Sequence, residues 1–306
     1  MKADFDDIRA YQDQEVNDVL LSLINDDECI QFFSQQKFPL LHRVFPSLIQ
    51  KRVRKAMHTH LKELHDVHAW QAKIIPFAHV LMEKTVSDFR ITGLEKLDKN
   101  KAYLFICNHR DIAMDPLLVN LALLSEGFAT AKIAIGDNLL KRSFVEKLMR
   151  LNKSFVVKRS FTGRKEKLNG AKKLSAYIHE SLKSGEHVWL AQKEGRAKDG
   201  VDFTDTAVLK MLHLAGRKLG WELKDSLKFL NLVPVSISYE WDPCDEDKAR
   251  ELVAYEQQGH YEKTHDEDLS SIIKGLQGNN GQVAIHFSDV LSLETNVADD
   301  WSRKID

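Results

Sequence analysis

The amino-acid sequence predicts an α/β fold, with a mixed, largely parallel sheet flanked by helices and an N-terminal helical region. From residue 88 onward, short β-prone runs alternate with helical segments, and this alternation is typical of parallel and mixed sheets. Before that point, apolar residues recur at helical spacing. The sequence therefore predicts a helical region over residues 1–87, acting as a cap or a membrane-surface element, and an α/β domain over residues 88–306.

Three helices are predicted in the N-terminal region. Residues 15–24 place apolar side chains at helical spacing, and residues 67–86 form a longer apolar stripe that Pro76 should kink or interrupt. Between them, a basic helix is predicted to open at Ser47, after Pro46. Such helices can pack on the main domain, or they can lie on a membrane surface with apolar residues inserted and cations at the headgroups.

The predicted sheet is built from seven β-prone runs. They lie at residues 89–92, 102–107, 132–135, 154–157, 187–192, 232–239 and 282–287. Helices are predicted near residues 117–125, 138–151, 164–183 and 205–219, and an acidic helical segment from 243 to about 278. The polar tail after residue 293 is predicted to be loose. In such folds ligands bind at the carboxyl ends of strands, so polar side chains that follow a strand are the site candidates.

Composition narrows the class of protein. The chain of 306 residues has 43% hydrophobic and 29% charged residues, as soluble globular proteins do. Its start is acidic and lacks an apolar signal sequence, and no run approaches the ~18 apolar residues of a membrane span. The three cysteines, Cys29, Cys107 and Cys244, show no zinc or redox spacing. We therefore expect a cytoplasmic protein with reduced thiols and without a metal site.

The net charge of −1 conceals a basic middle of the chain. Residues 132–173 contain thirteen Lys or Arg residues and three acidic ones. Such a stretch is typical of proteins that bind a phosphate-bearing ligand, an anionic membrane surface or nucleic acid, although a solvated basic helix face has the same composition. Clustered cations without a membrane span predict a protein that associates peripherally with the inner face of the membrane.

One loop, residues 108–116, combines a histidine with two carboxylates. It follows a buried β-prone run and precedes a helical segment. Asp115 followed by Pro116 is a helix-start signal, with an acceptor side chain at the cap and proline at the first helical position. His109 and Asp115 can therefore form a base and its orienting partner, with Asp111 as the alternative partner. A loop histidine beside a capped helix can equally be structural.

Charged side chains also follow two other predicted strands. Lys158 and Arg159 end the run at 154–157, and the block Lys193-Glu194-Gly195-Arg196 follows the run at 187–192. A fourth segment, 232–237, is a β-prone run that contains a proline. The loop 108–116 is the first segment, and the charged residues after the runs at 154–157 and 187–192 are the second and third. Because all three place charged side chains at strand ends, they can build one anionic-ligand site beside one base.

These four segments, in this order, resemble the glycerophospholipid acyltransferase superfamily, which contains the glycerol-3-phosphate and 1-acylglycerol-3-phosphate acyltransferases. The family pattern has an Asn-His block ending in Asp, a strand ending in Arg, a Glu-Gly block, and a strand with proline between Val or Ile residues. The segments 89–95 and 281–287 are similar to the family's lead-in and closing strands. The resemblance covers about residues 88–290.

The resemblance implies an acyltransferase that moves a fatty acyl group from acyl-CoA or acyl-carrier protein to a hydroxyl of glycerol-3-phosphate or a lysophospholipid, in phospholipid biosynthesis. It implies His109 as the catalytic base and Asp115 as its partner. The implied substrate-binding residues are Lys158, Arg159, Lys193, Glu194, Gly195 and Arg196, with the cations on an acceptor phosphate. No cofactor is implied beyond the thioester co-substrate. The expected partners are this donor, the acceptor and an anionic membrane surface, without nucleic acid.

The sequence departs from the family pattern in the first and third segments. Five residues separate His109 from Asp115 where four are usual, and Met114 occupies the usual Asp position. The loop therefore either has one extra residue or uses Asp111, and we favour Asp115 because a helix start would fix it. In the third segment Lys193 stands where proline is common, and Arg196 follows Gly195 directly.

Two other classes of function stay open from the residues alone. The first is a non-catalytic basic protein that binds phosphate or nucleic acid, although no helix-turn-helix, RNA-binding or zinc pattern is present. The second is a metal-dependent hydrolase using His109, Asp111 and Asp115, for which further His ligands are not evident. No Ser or Cys lies in a nucleophile motif, which favours direct acyl transfer over an acyl-enzyme.

Overall fold

The computed structural model describes residues 4–264 and 266–292, and its N-terminal part is helical, as the sequence predicts. The helices of this part are α1 (Asp13–Ile24), α2 (Asp27–Lys37), α3 (Pro39–Val44), α4 (Pro46–Leu61) and α5 (Val67–Thr85). The predicted tail after residue 293 lies outside the described residues.

α2 and α3 were not predicted from the sequence, and Pro76 does not interrupt α5. The first turn of α2 is capped by Asp26, whose side chain accepts a hydrogen bond from the backbone N–H of Cys29 at 3.0 Å. α3 has six residues, which are too few to show a helical period. α5 runs through Pro76 without an interruption. The predicted interruption is therefore wrong, whereas the alternative, a kink at Pro76, stays a prediction.

The strands form one mixed, mostly parallel sheet, which confirms the predicted fold class. They are β1 (Val86–Thr92), β2 (Leu104–Cys107), β3 (Lys132–Gly136), β4 (Ser154–Val157), β5 (Val188–Ala191), β6 (Leu232–Tyr239) and β7 (Gly281–Phe287). Within the described part of the chain, the strand order is β1-β7-β6-β2-β5-β3-β4. β2 pairs in parallel with β5 and β6, and β1 pairs in parallel with β7, whereas β6 and β7 are antiparallel.

Helices connect these strands. They are α6 (Met114–Ser125), α7 (Ser143–Leu151), α8 (Arg164–Lys183), α9 (Thr206–Lys218), α10 (Leu223–Phe229), α11 (Asp245–Gln258) and α12 (Glu267–Gln277). α10 was not predicted, since its seven residues are again too few for a periodic pattern. The acidic segment predicted between β6 and β7 consists of α11 and α12.

The chain divides into two compact units. One consists of the residues up to Pro76 together with Ile135–Val157, and the other of Phe77–Ala134 and the residues from Lys158 onward. In the first unit, the backbone N–H of Val156 donates to the carbonyl of Ile8 at 2.8 Å, which joins two segments that are far apart in the sequence. The domain boundary expected at residue 87 stays a prediction.

The core of the second unit holds both ends of the loop that carries His109. All four residues of β2 are buried, because this strand lies inside the sheet between β5 and β6. α6, which follows the loop, is apolar on most of its surface and is buried in the same core. Phe105 of β2, Leu118 of α6 and Val233 of β6 belong to one cluster. The loop is thus a short connection between two buried elements, which limits its freedom.

None of the helices in the described residues is both long enough and apolar enough to cross a bilayer.

Candidate active site

The loop after β2 begins with Asn108, whose side chain continues the pairing between β2 and β6. Its Oδ1 accepts a hydrogen bond from the backbone N–H of Ile237 at 2.8 Å, and its Nδ2 donates to the carbonyl of the same residue at 3.0 Å. The same amide donates to Asp202 at 3.1 Å. Asn108 is therefore a structural residue that attaches the start of the loop to the neighbouring strand.

His109 lies against Asp115 and not against Asp111. Its Nδ1 is 2.8 Å from Oδ2 of Asp115, which is fully buried, while the histidine side chain is 14% exposed. The ring of Trp189 in β5 packs edge-to-face on the imidazole, with centroids 5.7 Å apart. The geometry thus supplies a partly accessible imidazole with one nitrogen held by a buried carboxylate and its ring fixed by an aromatic side chain.

Asp115 was predicted to cap the following helix, and this prediction is wrong. α6 begins at Met114, so that Asp115 lies in its first turn. Its carboxylate turns back toward the loop, where Oδ2 accepts from the backbone N–H groups of Arg110 at 2.7 Å and Asp111 at 3.0 Å. Oδ1 accepts from the hydroxyl of Tyr239 at 2.6 Å. These donors and the N-terminal end of the helix stabilise a buried negative charge.

Asp111 takes the capping role instead. Its Oδ1 accepts from the backbone N–H groups of Ala113 at 2.9 Å and Met114 at 2.8 Å. Its Oδ2 is buried and has no hydrogen-bond partner among the described residues. Burial, followed by the charge of Asp115, raises the pKa of Asp111 above its usual value.

Gly275 in α12 is the reason that Asp111 can be buried so tightly. A Cβ atom at this position would lie 2.1 Å from Oδ2 of Asp111, which is closer than any real contact. Only glycine allows α12 to approach the loop at this point. The loop is thus covered from a segment in which the sequence analysis found no chemistry.

Two residues near the pair were missed by the sequence analysis. Tyr239 ends β6, and burial together with the charge of Asp115 raises its pKa well above the usual value, so that it stays a hydroxyl donor. Lys248 in α11 donates to the carbonyl of Arg110 at 2.7 Å and forms an ion pair with Asp242. One feature of the sequence could have indicated Tyr239, because a tyrosine at the end of a predicted strand places a hydroxyl near the site. No feature of the sequence indicated Lys248.

The charged residues predicted to bind the acceptor, other than Arg196, follow β4 and β5 closely in the sequence. Nε of Arg159 is 3.6 Å from Oε1 of Glu194, and the side chain of Arg159 is partly exposed while that of Glu194 is largely exposed. Lys193 donates to the carbonyl of Val201 at 2.9 Å. Lys158 directly follows β4 and is half-buried.

Arg196 is the predicted cation that lies next to the histidine loop. The backbone N–H of Ala197 donates to the carbonyl of His109 at 2.8 Å, which brings the two segments together. Nη2 of Arg196 is 3.4 Å from the hydroxyl of Ser271, while Nη1 is buried without a hydrogen-bond partner among the described residues. Gly195 has a φ of +78°, a left-handed conformation that glycine adopts at low cost and that turns the chain before Arg196.

The side chains of the site also bear on the alternative chemistries. Over residues 4–264 and 266–292, no group of three or more His, Cys, Asp and Glu side chains is placed to hold a metal ion. Burial raises the pKa of Cys107 well above its usual value, which makes this thiol a poor nucleophile. The arrangement is best suited to proton transfer at His109.

A known protein family matches the region of the chain that contains His109. Residues 88–233 match the family model described as Acyltransferase. This region of the chain belongs to the acyltransferase family. His109 and Asp115 lie within the match, as do all the predicted phosphate ligands, whereas Tyr239, Lys248 and Gly275 lie beyond its end.

Among solved structures, the chain is similar to the crystal structure of the 1-acyl-sn-glycerophosphate (LPA) acyltransferase PlsC from Thermotoga maritima. The sequence identity is 16%, the match covers 94% of this chain and 91% of that chain, and the TM-score is 0.38. A similarity of this degree carries no information about substrates. No curated protein sequence matches the chain.

The raised pKa of Asp111 predicts a pH-dependent effect on stability. The folded state binds this proton more tightly than the unfolded chain, so its stabilising contribution is present below the unfolded pKa and is lost as the pH rises through the higher folded value. Asp111→Asn does not titrate. The free energy of unfolding of the native chain should therefore fall relative to that of Asp111→Asn as the pH rises from the unfolded pKa, about 3.9, through the higher folded value. Urea unfolding of both proteins measures this difference, and a difference that is constant with pH would contradict the assigned burial.

Proposed function

We propose that this acyltransferase moves a fatty acyl group from a thioester, acyl-CoA or acyl-carrier protein, to a hydroxyl of glycerol-3-phosphate or a lysophospholipid, as a step of phospholipid biosynthesis. The observation that carries the proposal is the contact of 2.8 Å between His109 and Asp115, within the region that belongs to the family. The thioester is the co-substrate, and the chemistry needs no further cofactor.

The His109–Asp115 contact supports a general-base mechanism. Asp115 accepts hydrogen bonds from two backbone N–H groups and a hydroxyl, so it also acts as the acceptor toward His109. This favours the tautomer with the proton on Nδ1, which leaves Nε2 as the base. In the reaction, Nε2 removes the proton of the acceptor hydroxyl while the hydroxyl oxygen attacks the thioester carbonyl. The C–S bond then breaks, and the imidazolium returns the proton to the leaving thiolate.

The surroundings of Asp115 supply hydrogen-bond donors to both of its carboxylate oxygens. A carboxylate held in this way orients the imidazole and stabilises the imidazolium that forms during the reaction. The buried position excludes water, which strengthens the interaction between carboxylate and imidazolium.

The acceptor phosphate is proposed to bind to the cations of the second and third segments. Arg196 offers a buried guanidinium nitrogen that has no hydrogen-bond partner among the described residues, and such a donor suits a phosphate oxygen. The pair of Arg159 and Glu194 is exposed and long, so it contributes little and can be exchanged for a contact with phosphate. Lys158 and Lys193 would add positive charge, and Glu194 would be released to accept from an acceptor hydroxyl.

We further propose that the enzyme binds peripherally to the anionic inner face of a membrane. Five apolar residues of α3, of its junction with α4 and of the start of α4 are between 51% and 80% exposed: Leu40, Leu41, Val44, Phe45 and Leu48. We call these residues the apolar edge. Residues 37–62, which include it, contain seven Lys or Arg residues and no Asp or Glu. An exposed apolar group surrounded by cations is complementary to anionic headgroups above acyl chains.

The catalytic assignment predicts a sharp difference between the two aspartates of the loop. His109→Ala and Asp115→Asn should each lower kcat by at least about 100-fold, the contribution of general-base catalysis. Asp111→Asn keeps the acceptor oxygen of the cap and should retain most of the activity. Thiol release from acyl-CoA in the presence of glycerol-3-phosphate or a lysophospholipid measures the rate. Near-normal turnover of His109→Ala would remove the mechanism.

If these cations bind the acceptor phosphate, their removal should lower kcat/KM for the acceptor and leave KM for the thioester almost unchanged. Arg196→Ala and Arg159→Ala remove charge-assisted contacts of about 1.5–3 kcal/mol, so kcat/KM for the acceptor should fall roughly 10- to 150-fold. The thioester KM should change little. Arg217→Ala, at an exposed arginine of α9, serves as the control. Steady-state kinetics with each substrate varied in turn decides the assignment, and a raised thioester KM alone would place the phosphate site at the other substrate.

The membrane assignment predicts that the apolar edge inserts into lipid. Leu48→Glu replaces an inserted apolar side chain by a charge and should weaken binding to vesicles of anionic phospholipid at least about tenfold. Leu219→Glu changes a leucine of similar exposure outside the apolar edge and is the matched control. Sedimentation with vesicles at rising salt measures both proteins. Equal binding of the native chain to neutral and anionic vesicles, or equal losses in both variants, would contradict the proposal.

A further inference from the structure

Lys248 is a buried lysine whose charge is directed at the catalytic loop. Its residue is 4% exposed, and its ammonium group donates to the carbonyl oxygen of Arg110 at 2.7 Å. It also forms an ion pair with Asp242, which is partly accessible. Burial of an ammonium group is costly unless its hydrogen bonds are made. The placement of this group against a backbone carbonyl next to His109 therefore needs a reason.

The carbonyl that Lys248 contacts belongs to the same peptide group as a donor to Asp115. The peptide bond joins the carbonyl of Arg110 to the N–H of Asp111, and this N–H donates to Oδ2 of Asp115 at 3.0 Å. That oxygen also holds Nδ1 of His109. A continuous path of hydrogen bonds thus runs from the ammonium through one peptide group to the carboxylate and the imidazole.

We infer that Lys248 is a positioning residue for the His109–Asp115 pair, acting through the peptide group between Arg110 and Asp111. The ammonium withdraws electron density from the carbonyl, which makes the N–H on the other side a stronger donor to Asp115. It also fixes the plane of the peptide. A flipped peptide would turn its carbonyl toward the carboxylate, and two acceptors would then face each other.

This inference rests on the proposed role of His109 as the base, and it adds a consequence for the pH dependence. A strong donor on Asp115 spreads the charge of the carboxylate and so moderates its attraction for the imidazolium. When the donor is weakened, the protonated imidazole is favoured more strongly. The acidic limb of kcat/KM, which marks protonation of the base, should then move to higher pH.

Other titratable and charged groups also face the pair. They are Cys107 from β2, Arg110 and Asp111 from the loop, Arg196 and Asp202 from the segment after β5, and Tyr239 from β6. Substitution of Lys248 or Asp242 leaves all of them in place. A shift of the acidic limb that depends on position 248 alone therefore reports the ammonium group of Lys248, and Lys248→Gln separates its charge from its hydrogen bond to the peptide group.

Two substitutions distinguish this role from a merely structural ion pair. Lys248→Met removes both the ion pair and the donor to the peptide, whereas Asp242→Asn weakens the ion pair but leaves Lys248 on the carbonyl of Arg110. Asn also keeps the acceptor for the N–H of Cys244, which Asp242 binds at 2.9 Å. We expect kcat to fall about 10-fold or more and the acidic limb to rise by about half a pH unit in Lys248→Met only. Equal effects of the two substitutions would overturn the inference.

The proton on Nδ1 of His109 gives a readout that does not depend on activity. Its NMR resonance, assigned by its loss in His109→Gln, reports the strength of the hydrogen bond to Asp115. We expect the resonance to move in Lys248→Met and to stay in place in Asp242→Asn. Should the native enzyme fail to transfer acyl groups, the proposed function would fail while this measurement still tests the path of hydrogen bonds. An unchanged resonance in Lys248→Met would overturn the inference.

Lys248→Gln keeps the test open if the methionine variant does not fold. The amide retains a donor for the carbonyl of Arg110 but lacks the charge. We expect a smaller shift of the acidic limb than in Lys248→Met and a lower kcat than in the native enzyme. A native limb and a native kcat in a folded Lys248→Gln would show that the charge has no effect on the pair, and would overturn the inference.

Discussion

The buried carboxylate of Asp115 is the constraint on which the site depends. A fully buried charge is stable only when its hydrogen-bonding capacity is met, and here it is met by two N–H groups of its own loop, the hydroxyl of Tyr239 and the imidazole of His109. Each donor comes from an element that must be held in place. The rest of the site can be understood as the set of supports that keeps these donors where they are.

The supports come from three parts of the second unit. β2 and β6 are linked beyond their last paired residues by the amide of Asn108, which brings the end of β6, and with it Tyr239, beside the loop. α11 contributes Lys248, and α12 approaches closely through Gly275. The family match ends at residue 233, before Tyr239, Lys248 and Gly275. The part of the chain that positions the catalytic pair therefore extends beyond the part that matches the family model.

The sequence predicted those elements that show a clear pattern within a few neighbouring residues. β4 and β6 were placed at their observed limits because each is an apolar run with clear ends. Asp115 was recognised as the partner of His109, but its position in the helix was wrong, because Asp-Pro fits both a cap and a first turn. Tyr239 and Lys248 could not be assigned, because they reach the loop from 124 and 138 residues away. Short helices such as α3 were missed because six residues are too few to show the helical repeat of apolar side chains.

The pairing of β1 with β7 has a consequence for how the chain folds. These strands are parallel neighbours, yet almost two hundred residues separate them, as in the register of Phe89 with Val283. Contacts of such long sequence separation close late and slow the search for the native state. During synthesis, β1 and the side of β6 that pairs with β7 stay without their partner until β7 has left the ribosome. Unpaired edges of this kind attract other strands, so the nascent chain depends on protection until β7 is made.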